Sequence, residues 1–151
     1  MGLSWFAGSD APYIPTKQEN LNKLFKLIEM KKGQKFYELG SGDGRVVLEA
    51  AKAGAEAVGV EQSWIRVLYS RWRAKKLELK NATFIHGNIF TISYQDADIV
   101  YIYLLQSAVD KLEEKLKKEL KKRVLIITQK YHFKNWNYIR RYLDFQIYIK
   151  E

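Results

Sequence analysis

The stretch YELGSGDGR, residues 37–45, decides the fold of this chain, because it joins an apolar segment to a helical pattern through closely spaced glycines. Residues 35–39 (KFYEL) predict a short strand, and a helix is expected over about 44–53. Glycine adopts positive φ and lets a ligand approach the backbone, and the first N–H groups of the following helix point toward that ligand. The stretch therefore predicts a strand–loop–helix ligand site rather than a plain tight turn.

Strands and helices alternate along the rest of the chain, which predicts an α/β fold with a mostly parallel sheet. A capping box beginning at Thr16 predicts the start of the first helix. The link over 87–96 is too short for a crossover helix, so a loop is expected there. Two last strands meeting near Asp144 predict a hairpin that adds an antiparallel edge. The other strands are predicted at 56–60, 82–86, 97–104 and 123–128, and helical spacing of apolar residues recurs at Leu21, Leu24, Phe25 and Ile28, at Ile65, Leu68 and Trp72, and at Val109, Leu112, Leu116 and Leu120.

Length and composition predict a single domain spanning residues 1–151. Its expected parts are an extended N-terminal segment at 1–15, a leading helix at 16–32 and a sheet core at 35–151. Hydrophobic residues make up 47% of the chain, which excludes a disordered protein. The chain has no cysteine and two histidines far apart in sequence, so no metal centre is expected.

The net charge of +9 predicts attraction to an anionic partner, or simply a well-solvated surface. Basic side chains are concentrated in residues 63–80 and 111–123, which could face water or dock on an anionic membrane or an acidic protein. No run approaches the ~20 apolar residues of a membrane span. We expect a cytoplasmic monomer, with membrane association possible only through an apolar segment upstream of residue 11.

The acidic residues around the glycines indicate which ligand the loop holds. In the dinucleotide fingerprint G-x-G-x-x-G, the third glycine would fall at Arg45, and Glu38 would face a pyrophosphate unfavourably. An acid at position 38 instead suits an amino group, and Glu61 after the second strand suits ribose hydroxyls. A ligand with a ribose and a cationic amino-acid end is therefore expected, and S-adenosylmethionine has both.

The sequence resembles a known family over roughly residues 11–150. The segments ELGSGDGR and GVE look like the cofactor core of class I S-adenosylmethionine-dependent methyltransferases, which have a Rossmann-like three-layer fold. The segments PYIPT, GNIF, YIYLL and KLEEKLKKEL, with Trp136, are similar to a narrower group. This group comprises small archaeal and bacterial protein-lysine methyltransferases and mitochondrial relatives that methylate lysines of inner-membrane proteins.

The resemblance implies a set of cofactor-binding residues. Those expected around the methionine part are Glu38, Gly40, Ser41, Gly42 and Asp43. Glu61 would hold the ribose with Gln62 beside it, and Asn88 and Ile89 would lie beside the adenine. Tyr13 and Thr16 would cover the cofactor from the N-terminal side, and Tyr103 would contact it from the end of the fourth strand.

The resemblance also implies transfer of a methyl group to the side chain of a lysine in a protein. An aromatic channel would favour the neutral amine, and its candidates are Tyr103, Phe133 and Trp136. The segment after the fourth strand, at residues 103–106, lacks the Asn-Pro-Pro-Tyr type motif of adenine and glutamine methyltransferases, which argues against those substrates. Two alternatives stay open: an RNA methyltransferase, which only the charge favours, and a non-catalytic cofactor-binding module.

Overall fold

The computed structural model describes residues 15–151, which form one sheet with helices on both faces. The elements, in chain order, are α1 (Gln18–Leu27), β1 (Lys35–Leu39), α2 (Arg45–Lys52), β2 (Glu56–Glu61), α3 (Trp64–Lys76), β3 (Ala82–His86), β4 (Ile99–Ile102), α4 (Gln106–Glu119), β5 (Leu125–Gln129), β6 (Arg140–Tyr142) and β7 (Phe145–Ile149). Every predicted strand is present, and the 87–96 segment contains no helix, as expected.

The strand order β3-β2-β1-β4-β5-β7-β6 places the glycine loop at the point where the order reverses. Strands β1 to β5 are parallel, and β7 runs antiparallel between β5 and β6. After β1 the chain builds the sheet toward β3, and it then returns to add β4 on the other side. In open α/β sheets, ligands bind in the crevice above such a switch point. The Rossmann-like class I methyltransferase fold predicted from the sequence is confirmed.

The sheet separates two apolar cores. On one face α1 and α2 pack against side chains such as Phe36 and Tyr101. On the other face α4 packs against Val100 and Ile126. All four residues of β4 are buried, as expected for a central strand covered on both sides.

Two details differ from the sequence-based expectations. The first helix begins at Gln18, and its N-cap is Lys17 without a side-chain hydrogen bond, so the capping box at Thr16 was wrong. The buried Thr16 hydroxyl instead donates to Gln129 Oε1 at 2.7 Å, a partner outside the helix that competes with the cap. The predicted helix at Ile65, Leu68 and Trp72 is present, but these side chains face solvent rather than the core.

Candidate active site

The glycine loop follows β1 in a conformation that requires glycine. Gly40, Gly42 and Gly44 all have positive φ, between 56° and 82°. A Cβ atom on Gly40 would lie 2.7 Å from Leu104 Cδ2, and one on Gly44 would lie 2.8 Å from Ser70 Oγ. The Gly40 and Ser41 N–H groups both donate to the Val60 carbonyl, at 2.8 and 3.0 Å, which fixes the loop against the end of β2. The loop therefore forms a small, rigid cradle above the sheet.

Glu38 is a buried carboxylate at the base of this cradle. The Val47 N–H in the first turn of α2 donates to it, whereas its Oε1 atom has no partner in the described part of the chain. Burial, together with the negative charges of Asp43 and Glu61, holds the pKa of Glu38 well above its usual range. An unpaired buried acceptor is costly, so this oxygen is suited to a cationic or hydrogen-bond-donating ligand.

Glu61 is held by backbone donors from both sides of the crevice. Its Oε1 accepts from the Gly42 N–H at 3.0 Å, and its Oε2 accepts from the Ser63 N–H at 2.8 Å. The Arg66 guanidinium lies 3.8 Å from Oε2, and both side chains of this ion pair are buried. The carboxylate is thereby fixed at the C-terminal end of β2, next to the glycine loop.

Asp43 and Ser41 occupy different environments within the loop. Burial alone would raise the pKa of Asp43, but hydrogen bonds and charge from Arg45 outweigh it and lower that pKa. Arg73 donates to the Asp43 carbonyl at 2.8 Å, so the Asp43 side chain and backbone both have protein partners. The Ser41 hydroxyl is buried without a partner in the described residues, directly opposite Gly59. A ligand in the cradle would therefore meet Ser41 and Glu38 more readily than the Asp43 carboxylate.

The residues expected around the adenine lie together at the ends of β2 and β3. Asn88 is exposed, and its side-chain oxygen accepts from the Phe90 N–H at 2.8 Å. The Ile89 carbonyl accepts from the Tyr94 hydroxyl at 2.6 Å, which fixes this turn. Gln62 is exposed, and its carbonyl lies 3.0 Å from His86 Nε2. The sequence thus predicted a group of neighbours, although the Asn88 amide oxygen already serves the turn.

A polar cluster that the sequence analysis missed lies where β4 and β5 end. Tyr101 and Thr16 both donate to Gln129 Oε1, and Gln129 Nε2 donates to the Asp144 carboxylate at 3.3 Å. Tyr103 is half-buried at the end of β4, and burial raises its pKa, with the nearby Asp144 charge adding to the effect. Alternating side chains of β4 could have indicated that residues 101 and 103 share a face, but the contribution of the hairpin needs tertiary structure.

The structure does not bring Trp136 to this cluster. Its ring stacks on Phe133 with centroids 5.3 Å apart, and Lys117 Nζ lies 5.4 Å from its centroid. Lys117 is in the last turn of α4, roughly 16 Å along the helix from the end nearest Tyr103. Phe133 is buried against Tyr148, and Tyr13 lies outside the described residues.

Neither a metal centre nor a membrane span is present within residues 15–151. They contain no cluster of three or more histidine, cysteine or acidic side chains that could bind a metal ion. Within the same residues, no helix is both long and apolar enough to cross a bilayer.

Comparison with known proteins gives concordant results. A family model described as the ANTKMT methyltransferase domain matches residues 38–140, and one for the histone methylation protein DOT1 matches residues 4–69. A protein-lysine N-methyltransferase of Saccharolobus islandicus is 30% identical over 83% of this chain and 80% of its own length. An ATP synthase lysine N-methyltransferase of Xenopus laevis is 32% identical over 83% of this chain, and there the match spans 55% of the relative.

Solved structures agree with the fold and the cofactor. An RNA methyltransferase from Salinibacter ruber, crystallised with S-adenosyl-L-homocysteine, has a TM-score of 0.84 and 29% identity, covering 91% of this chain and 95% of that one. The orphaned Glu38 oxygen, the glycine cradle and the fixed Glu61 suit the amino group and ribose of that molecule. The chain belongs to the ANTKMT methyltransferase domain family and is an S-adenosylmethionine-dependent methyltransferase of class I.

Proposed function

We propose that this enzyme methylates the side-chain nitrogen of lysine in a protein substrate. The observation that carries the proposal is the similarity to a protein-lysine N-methyltransferase over 80% of that protein's length. The ATP synthase lysine N-methyltransferase extends well beyond the matched region, so its particular protein substrate does not transfer to this chain. The described geometry adds a pocket whose side chains suit a lysine head group.

The cofactor would lie across the C-terminal ends of β1 and β2. Glu38 Oε1 would accept from the amino group of its methionine part, while Ser41 and the N–H groups of the glycine loop would contact that end of the molecule. Glu61 would accept from the ribose hydroxyls, with Gln62 beside it. Asn88 and Ile89 would lie beside the adenine, and Asp43 would shape the loop through Arg45. When bound, the cofactor supplies an electrophilic methyl carbon on a sulfonium.

The lysine would enter from the side of β4 and β5, where Tyr103 and Asp144 lie. Asp144 is exposed and would attract the cationic amine, while the half-buried Tyr103 ring offers a face that can hold it. A lysine of pKa about 10.4 must lose its proton to solvent before its lone pair can form the new carbon–nitrogen bond. The low polarity around Tyr103 favours that neutral form and aligns the amine with the methyl carbon.

A second candidate substrate is RNA, which one observation favours. The solved structure with a TM-score of 0.84 carries the name of an RNA methyltransferase, and the net charge of +9 suits a polyanion. RNA-modifying sites need aromatic surfaces for bases that have left the stack. The described pocket offers an exposed carboxylate at Asp144 instead, which would repel a phosphate backbone. Protein is therefore the preferred substrate.

The deciding experiment is transfer of a radiolabelled methyl group into a lysate of the source cells. Halves of the labelled product are treated with protease or with nuclease. The proposal expects label that protease releases from the precipitate and nuclease leaves, with methyl-lysine found after acid hydrolysis. Label that survives protease and disappears with nuclease would assign the enzyme to RNA. Binding of S-adenosylhomocysteine without any incorporation would support a non-catalytic module.

We also propose that residues 1–151 act as one methyltransferase unit and as a monomer, since the net charge of +9 opposes self-association. The basic faces of α3 and α4 would bring the enzyme to an anionic membrane or an acidic protein. Sedimentation velocity at several concentrations tests the monomer, because a dimer would sediment faster as concentration rises.

A further inference from the structure

Helix α3 has two apolar faces, and only one of them packs on the protein. Val67, Ser70 and Ala74 are buried against the sheet. Of the nine large apolar side chains that the described residues expose, five lie between positions 64 and 77. Four of these recur at helical spacing and form a continuous stripe, here called the α3 stripe: Trp64, Ile65, Leu68 and Trp72, which are 49, 67, 50 and 55% exposed.

The α3 stripe lies opposite the buried face of the helix. A soluble helix normally carries charged or polar side chains there, and a helix apolar on all sides is normally covered. Large contiguous apolar patches on a protein surface mark interaction sites. The stripe therefore needs a partner that accepts tryptophan and aliphatic side chains together.

The edges of the stripe are basic. The Arg71 guanidinium lies 5.3 Å from the Trp64 ring centroid, and Lys76 Nζ lies 5.0 Å from the Trp72 centroid. Lys75 is exposed in the last turn, and α3 contains no acidic residue. The partner must therefore be apolar at its centre and anionic at its margin.

We propose that the α3 stripe docks this protein on an anionic lipid bilayer, with α3 lying in the plane of the interface. Tryptophan favours the headgroup region, aliphatic side chains reach the acyl boundary, and a basic rim pairs with anionic headgroups. A second copy of this chain would bring two basic rims together, which electrostatic repulsion disfavours. Cations cover the Trp64 and Trp72 rings, and Ile65, the most exposed member, offers no surface on which a nucleic-acid base stacks.

Docking would place the active site beside the membrane. Helix α3 begins directly after the turn in which Glu61 accepts from the Ser63 N–H. The whole helix is about 20 Å long, so the cofactor-binding edge of the sheet would stay within that distance of the lipid surface. Docking by the α3 stripe does not require that lysine be the substrate.

The test measures flotation of the intact protein with vesicles, using phosphatidylcholine alone or phosphatidylcholine with about a third phosphatidylserine. The variant Ile65→Asp places a charge at the centre of the stripe. The matched control is Ile139→Asp, because Ile139 is 59% exposed and lies before β6. Both variants should melt and bind S-adenosylhomocysteine as the wild type does, since neither side chain is in the core or the active site.

We expect the wild type and Ile139→Asp to float with the anionic vesicles and Ile65→Asp to bind them at least tenfold more weakly. Tryptophan fluorescence of the wild type should shift to shorter wavelength on binding. Absence of wild-type binding, or equal loss in both variants, would overturn the proposal. It would equally fail if Ile65→Asp weakened an RNA complex or a dimer while vesicles bound none of the proteins.

Discussion

Replacing Glu38 with glutamine should separate the stability of the apoprotein from its affinity for the cofactor. The amide keeps the shape of the side chain and can still accept from the Val47 N–H, but it removes the buried charge. A charge-assisted hydrogen bond exceeds a neutral one by about 1.5 kcal/mol, so the cofactor amino group should lose roughly tenfold in affinity. The unliganded protein should gain stability, because an uncompensated buried carboxylate is unfavourable.

The pH dependence of stability gives the sign of this effect. The folded pKa of Glu38 lies above the unfolded value of 4.5, so folding takes up a proton between these two pKa values. The contribution of Glu38 to stability is therefore greatest below pH 4.5 and is lost as the pH rises through the folded pKa. Glu38→Gln should remove that decline, and at pH 7.5 each kcal/mol gained should raise the melting temperature by about 2–4 °C.

The assays are thermal unfolding without ligand and titration calorimetry with S-adenosylhomocysteine. Glu113→Gln is a suitable control, because Glu113 is also buried but accepts from the Asn135 N–H and pairs with Lys117 on the other face of the sheet. That variant should not gain stability and should bind the ligand normally. An unchanged affinity in Glu38→Gln would refute the assignment of Glu38 to the amino group, and an unchanged melting temperature would refute its unpaired charge.

Three further predictions concern the loop, the core and the substrate side. Gly59→Ala would place a Cβ 2.6 Å from Ser41 Cβ, so we expect calorimetry to show at least tenfold weaker cofactor binding while circular dichroism stays unchanged; normal affinity would mean that the loop adapts. Thr16→Val should lower the free energy of unfolding in urea by about 1 kcal/mol, because it removes the hydroxyl that donates to Gln129. Asp144→Asn should raise the KM for a lysine peptide severalfold and leave cofactor affinity unchanged, whereas an unaltered KM would remove Asp144 from the substrate pocket.

The sequence was most informative where local chemistry and topology agree. Residues 35–39 were predicted as a strand and form β1 with the same bounds, because an apolar run followed by glycines has few other structures. Glu61 was placed at the end of β2, where its backbone partners hold it. Such positions follow from strand length and the βα turn, both of which are local properties.

The sequence failed where distant parts of the chain compete. Thr16 satisfies every local rule for a helix cap, yet Gln129 takes its hydroxyl across the fold. Helical spacing at Ile65 and Leu68 shows that a helix forms there but not which side meets the sheet, since small residues such as Ser70 and Ala74 pack more closely on it. Trp136 was grouped with Tyr103, but it lies beside Lys117 at the far end of α4.

The arrangement at Glu61 has a consequence that can be counted in lone pairs. A carboxylate offers about four acceptor positions, and the Gly42 and Ser63 amides occupy one on each oxygen. From the described part of the chain, one position on each oxygen is left for a ligand, which equals the demand of a vicinal diol that donates twice. A sugar lacking either hydroxyl would leave an oxygen to water, and one bearing a phosphate in place of either would bring a second anion to an acid already committed. Discrimination between nucleosides at this position would thus follow from valence saturation, before any change of shape is required.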